Sequence, residues 1–262
     1  MELRQVRSID QRLDTSFQFF KVNFREIFSI YMAGGLPLVI IGSILGLGGV
    51  YHTLNLAGES FSIYLLMNVI GSFLLYGGML HMYLQTMTLM QLYQETGKVP
   101  TPQEVSDRVD GSFWGYVGVS FLTGLSVVLG MMFLLIPGIF LFIAFSVALP
   151  VYMIEDKSVT DSLNRSYQLV KGYWWNTAGF VMLLSVIVWV LSFIFTAMLG
   201  GLTGLSLVFG NAWAYSAYVF SPIVSVLSVI ISVFYAFGVV VQYYHLLALK
   251  EPQGIAEEIS QF

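Results

Sequence analysis

The chain of 262 residues has no cysteine and little charge. Without cysteine it can form no disulfide framework, thiolate nucleophile or thiolate metal site. Charged residues make up 10% of it, against about 25% in soluble domains. Eleven Lys and Arg with fifteen Asp and Glu are too few to clothe a water-soluble globule of this size. A basic stripe is also missing: a net charge of −4 and a pI near 5.3 argue against a nucleic-acid partner. No secretory signal is expected at the start, because Asp10, Arg12, Asp14, Lys21 and Arg25 interrupt the apolar run that one requires. What fills the chain is apolar, 57% hydrophobic with a mean hydropathy of +0.79. That is the composition of an integral membrane protein.

The few charges divide the apolar bulk. Ile27 to Gly58, Ser60 to Gln94, Gly111 to Ile154 and Gly172 to Leu249 contain none, and a membrane span needs about 20 apolar residues. The first two intervals each accommodate one helix, over 28–51 and 61–83. The third holds two, over 113–135 and 139–153, turned at Leu135-Ile136-Pro137-Gly138, where proline removes a helical hydrogen bond and glycine permits the reversal. In the fourth, Gly200, Gly201, Gly204, Gly210 and Asn211 read as a loop between helices over 175–199 and 217–249. The expectation is an all-α polytopic bundle, one membrane domain of six spans in three hairpins.

Six spans place all eleven basic residues on one side, and the opposite side has Glu59 as its only charge. By the positive-inside rule both termini are then cytoplasmic, in a bacterial inner membrane. Trp114, Tyr173, Trp174, Trp175, Tyr243 and Tyr244 fall at the inner interface, and Tyr51, Trp213, Tyr215 and Tyr218 at the outer one.

A short polar segment precedes each odd-numbered span. Ser8-Ile9-Asp10-Gln11, Thr101-Pro102-Gln103-Glu104 and Ser158-Val159-Thr160-Asp161 fit a capping-box pattern. In the first, Ile9, Leu13, Phe17, Phe20, Phe24 and Phe28 form a helical stripe opposite Asp10, Arg12, Asp14, Lys21 and Arg25. Such a helix lies in the interface with its apolar stripe toward the acyl chains. The third is ended by Gly172. Ser16-Phe17-Gln18-Phe19-Phe20-Lys21 is similar to Ser166-Tyr167-Gln168-Leu169-Val170-Lys171, which suggests a repeated unit of interfacial helix plus hairpin.

No expected span contains Asp, Glu, Lys or Arg, so the buried carboxylate of ion-coupled transport and the paired carboxylates of acid/base catalysis are missing. Three histidines remain, with no His-x-x-x-His pair among them. His81 and Gln85 share a helix face, and with His245 they are candidates for interhelical hydrogen bonds between the second and sixth spans, as are Asn68 and Gln242. Gly42 and Gly46 form a small-xxx-small pattern suited to close helix packing. Pro37, Pro137 with Gly138, and Pro222 are candidate hinges or turns. No catalytic residue, cofactor or metal is expected.

Three stretches resemble a known family: Phe17-Gln18-Phe19-Phe20-Lys21-Val22-Asn23-Phe24; Ile136-Pro137-Gly138-Ile139 with Ala148-Leu149-Pro150-Val151, Asp161-Ser162-Leu163-Asn164-Arg165-Ser166-Tyr167 and Lys171-Gly172-Tyr173-Trp174; and Tyr243-Tyr244-His245-Leu246. Together they resemble the membrane domain at the N-terminus of some bacterial glycerophosphoryl diester phosphodiesterases and related stand-alone inner-membrane proteins. In the two-part enzymes a separate soluble barrel carries the catalytic residues. The resemblance does not extend to that barrel, so no phosphodiesterase activity is implied. The sequence therefore points to a non-enzymatic membrane subunit or scaffold at the cytoplasmic face, in contact with membrane lipids and with a membrane-protein partner or further copies of itself. The alternative is a carrier of lipid or a small apolar solute through a cavity between pseudo-repeats.

Overall fold

A computed structural model describes residues 2–55, 61–209 and 211–251, and all its regular structure is helical. Eleven helices follow in order: α1 (Ile9–Val22), α2 (Phe24–Met32), α3 (Gly35–Asn55), α4 (Phe61–Thr96), α5 (Pro102–Asp110), α6 (Phe113–Phe133), α7 (Leu135–Ala144), α8 (Ala148–Ile154), α9 (Val159–Val170), α10 (Trp174–Phe209) and α11 (Asn211–Lys250). Five helical stretches are long and apolar enough to cross a membrane, or six if α2 and α3, bent by 63° at their junction, count as one span. Tyr51, His52, Glu59, Trp213, Tyr215, Tyr218 and the tail after Glu251 lie outside the residues whose side chains are described.

Two compact units make up the chain. One comprises the N-terminal segment to Ile27, Leu84–Ser185 and the chain from Phe234 onward; the other comprises Phe28–Tyr83 and Val186–Val233. Both boundaries of the second unit's segments fall within or beside long helices, so α4, α10 and α11 contribute residues to both.

Proline position explains where helices restart. Pro102 opens α5, and Pro37, Pro137 and Pro150 are each the third residue of α3, α7 and α8. In a first turn the missing N–H costs no hydrogen bond. Pro222 alone among the described prolines lies within a helix, α11. The reversal expected at Leu135–Gly138 is made one residue earlier: α6 ends at Phe133, Leu134 is extended (φ −163°, ψ 143°) and α7 begins at once. Gly138 is helical and serves a close approach instead, since a Cβ on it would sit 2.7 Å from the Met131 nitrogen. The reversed tip exposes apolar side chains, with Phe133 83% and Ile136 80% exposed, as a surface facing acyl chains requires.

Two further expectations are corrected. The span over 139–153 is interrupted at Phe145-Ser146-Val147, where the Ser146 hydroxyl donates to the Ile143 carbonyl at 2.8 Å. The glycine cluster read as a loop is helical as far as Phe209. In an apolar setting the helix satisfies backbone groups that a loop would leave bare, which outweighs the low helix propensity of Gly200, Gly201 and Gly204.

Candidate functional site

Chemistry-bearing side chains concentrate in the first unit, where α1, α5 and α9 pack. Their starts follow the expected capping pattern. Ser8 N–H donates to Gln11 Oε1 at 3.1 Å, Thr101 N–H to Glu104 Oε2 at 2.7 Å, and Asp161 N–H to Ser158 Oγ at 3.2 Å. Gly97 (φ 71°) and Gly172 (φ 91°) adopt the left-handed conformation that closes α4 and the turn after α9.

The inward face of α1 is not its aromatic stripe. Arg12, Thr15, Ser16 and Phe19 are buried, at i, i+3, i+4 and i+7, while Phe17, Phe24 and Phe28 are exposed. Expecting Arg12 on the solvated face was therefore wrong. Phe17, Phe24 and Phe28 are turned outward while Phe20 is half-buried against the Phe237 ring, and the buried face sets Thr15 and Ser16 beside Arg12 and Phe19. Arg12 is fully buried. Its Nε donates to the Ser8 carbonyl at 3.3 Å, its Nη1 donates to Gln242 Oε1, and its guanidinium lies 4.6 Å from the centroid of the Phe180 ring. Gln242 Nε2 in turn donates to Thr177 Oγ1 at 3.1 Å. Burial pushes the Arg12 pKa down to about 10, so the side chain remains a cation at neutral pH.

One turn along α11, His245 Nδ1 accepts the Arg7 backbone N–H at 3.0 Å. Residues 2–8 cross this region as a strap. Leu3 is buried, its N–H donates to Gln94 Oε1 at 3.0 Å, and Arg4 Nη2 donates to the Glu251 carbonyl at 2.6 Å. The Arg7 guanidinium turns back onto the carbonyls of Leu3, at 2.8 Å, and Glu2.

A second polar group centres on Glu155. Arg165 Nε donates to both its oxygens at 3.1 and 3.0 Å, the Tyr243 hydroxyl donates to Oε1 at 3.1 Å, and Lys157 Nζ lies 3.6 Å from Oε2. Arg165 Nη2 reaches Glu251 at 2.6 Å. Burial disfavours the Arg165 cation, but its bonds and charge interactions with Glu251 and Glu155 prevail and raise its pKa. Beside this network an open cleft of about 570 Å³ runs along α9, lined by Lys157, Asp161, Asn164, Arg165, Tyr167, Gln168 and Lys171.

The residues singled out from sequence are distributed as follows. Gln242 bonds Arg12 of α1 and Thr177 of α10, and His245 accepts from the Arg7 backbone. Gln85 is buried in the same unit, and His81, half-buried, belongs to the other. In that second unit Asn68 Nδ2 donates to the Gly46 carbonyl at 2.9 Å. A Cβ on Gly42 would lie 2.6 Å from the Gly71 carbonyl oxygen, and one on Gly35 2.5 Å from that of Gly78; a Cβ on Gly46 would have nothing nearer than 3.8 Å, but the Gly46 backbone itself packs on Gly71, whose own Cβ would collide with the Gly46 nitrogen. α3 and α4 thus touch backbone to backbone at two rungs, Gly35/Gly78 and Gly42/Gly71, seven residues apart on each helix. Gly35, Gly71 and Gly78 went unread because a seven-residue spacing of glycines is not the small-xxx-small pattern.

No family model, no curated protein and no solved structure matches the chain.

Proposed function

We propose that the protein is a six-span bacterial inner-membrane protein with both termini in the cytoplasm, and that it works as a non-enzymatic membrane subunit or scaffold presenting its cytoplasmic face to a protein partner. The supporting observation is the cleft along α9. It is a polar, open concavity whose lining mixes cations (Lys157, Arg165, Lys171) with Asp161, Asn164 and Gln168. Mixed polar linings of this kind give register and specificity to a protein contact more than raw affinity. The Glu155 network stiffens the floor of the cleft, because Arg165 is fixed from two sides and loses little entropy on binding.

The test is photo-crosslinking in native membranes with the reactive side chain at Asn164 or Gln168. A discrete protein adduct at both positions, absent from the same probe at the exposed Phe193, is the expected result. Adducts to lipid alone at both would sink the scaffold in favour of the carrier. For topology, a reporter active only outside the cytosol stays inactive when fused after Lys157; activity there would overturn the six-span arrangement.

A further inference from the structure

Arg12 is a buried cation without an anion. Among the described residues no carboxylate lies within 4.0 Å of its guanidinium, and its Nη2 has no hydrogen-bond partner although it is shut off from solvent. An uncompensated charge in such a place is strongly destabilising. His245, three residues from the Gln242 that Arg12 engages, has the matching defect. Its Nδ1 lone pair is used by the Arg7 N–H, so the ring proton resides on Nε2, and that atom is likewise buried and unpartnered. Two orphaned groups under one strap are thus both donors, and one of them is charged.

The scaffold does not demand this arrangement. Ser8 and Ser158 start α1 and α9 at positions 150 residues apart, and the two helices bury the same register: Arg12, Ser16 and Phe19 in one, Ser162, Ser166 and Leu169 in the other. Where α1 has Arg12, α9 has a serine whose hydroxyl bonds the Ser158 carbonyl at 2.8 Å. A small neutral residue fills that position, so the arginine answers another need.

We infer that Arg12 Nη2 and His245 Nε2, covered by the strap of residues 2–8, form a binding site for a phosphate-type oxyanion, supplied either by a lipid headgroup or by free phosphate. Its acceptor oxygens satisfy both orphaned donors, and its charge compensates the guanidinium, whose planar fork suits phosphate. His245 lies five residues before Lys250, the last residue of α11, or about 8 Å along the helix axis. That depth is within reach of a headgroup. Neither the α9 cleft nor a protein partner enters into this site.

The experiment measures thermal unfolding of the full chain in a neutral detergent with inorganic phosphate, with chloride at matched ionic strength, with phosphatidylglycerol and with phosphatidylcholine. Phosphate raising the midpoint above chloride identifies a soluble anion; phosphatidylglycerol alone raising it above phosphatidylcholine identifies a headgroup. Either shift should weaken in Arg12→Met and in H245F, with affinity reduced roughly tenfold or more, as loss of a charge-assisted hydrogen bond implies. Should Arg12→Met not fold, Arg12→Lys, which keeps the charge and loses the fork, carries the comparison. The proposal is overturned if neither anion shifts the wild-type protein beyond its control, or if the variants respond as the wild type does.

Discussion

Gly77 and Gly78 are neighbours on α4 with opposite surroundings, and replacing each by alanine gives a sharp test of the α3–α4 seam. A Cβ on Gly77 meets nothing within 4 Å; one on Gly78 would lie 2.7 Å from the Gly35 carbonyl oxygen and 2.9 Å from Leu38 Cβ and Val39 Cγ2. Carbon atoms in contact prefer about 3.5–4.0 Å, so the helices must part by roughly 1 Å at that rung. Overpacking of this kind costs about 1–3 kcal/mol, while alanine in place of glycine returns about 1 kcal/mol of helix propensity at either site. Gly77→Ala should therefore be neutral or stabilising, and Gly78→Ala should be the less stable of the two by about 1–3 kcal/mol, or about 2–4 °C in midpoint for each kcal/mol in a chain of this length. The same contrast applies to Gly42→Ala, whose Cβ would be 2.6 Å from the Gly71 oxygen, against Gly46→Ala, with 3.8 Å of room. Unfolding of the purified variants in detergent, followed by heat and by sodium dodecyl sulfate titration, reads the difference. Equal stabilities for Gly77→Ala and Gly78→Ala, within 0.5 kcal/mol or so, would refute the backbone contact.

Tyr243→Phe removes one of the bonds on Glu155 while Arg165 keeps its own two. A loss of about 1 kcal/mol is expected, and Glu155→Gln, which removes the counter-charge facing Arg165 and Lys157 together, should cost more than Tyr243→Phe in the same melt. The Glu104 carboxyl is held below its ordinary pKa by hydrogen bonds from Thr101. A depressed carboxyl contributes stability above its unfolded pKa and forfeits it as pH falls through the folded value. Protection of the α5 amides, after correction for the intrinsic slowing of exchange in acid, should accordingly fall on acidification below the usual glutamate range. Thr101→Ala, which deletes the side-chain bond and keeps the larger backbone one, should weaken that dependence, and an unchanged acid limb would exclude the side-chain bond as a contributor.

Charge distribution and helix-start chemistry made much of the architecture legible beforehand. Ser8, Thr101 and Ser158 cap where their sequence says they cap, because a capping box is a local hydrogen-bond pattern. Gly172 closes its turn for the same reason. Apolar composition sufficed to anticipate helices of spanning length, but not their breaks. Pro137 marks a restart, yet Leu134 makes the reversal, because Pro137 has no N–H for the Phe133 carbonyl four residues back and its ring crowds that group, so the preceding helix ends there. The glycines at 200–204 misled in the opposite direction, since their composition suggests flexibility while an apolar environment enforces the helical ladder. Arg12 was hidden by a stronger signal. The Phe17, Phe20 and Phe24 stripe dominates any reading of α1, and a stripe facing acyl chains looks the same in sequence as one facing a protein core. The pattern that would have exposed the buried face is Arg12-Thr15-Ser16-Phe19, a helical row of two short polar residues between an arginine and a phenylalanine.

Set in register, α1 and α9 carry their arginines at different positions. Arg165 aligns with Thr15, so the cation of α9 is displaced by three residues, close to one helical turn, from that of α1. One turn brings Arg165 to two carboxylates; the other position leaves Arg12 facing a side-chain amide, a backbone carbonyl and an aromatic ring. The two helices bury the same register yet meet opposite electrostatic surroundings. In α9 the chain supplies the counter-charge itself, and in α1 the account is left open for something from outside.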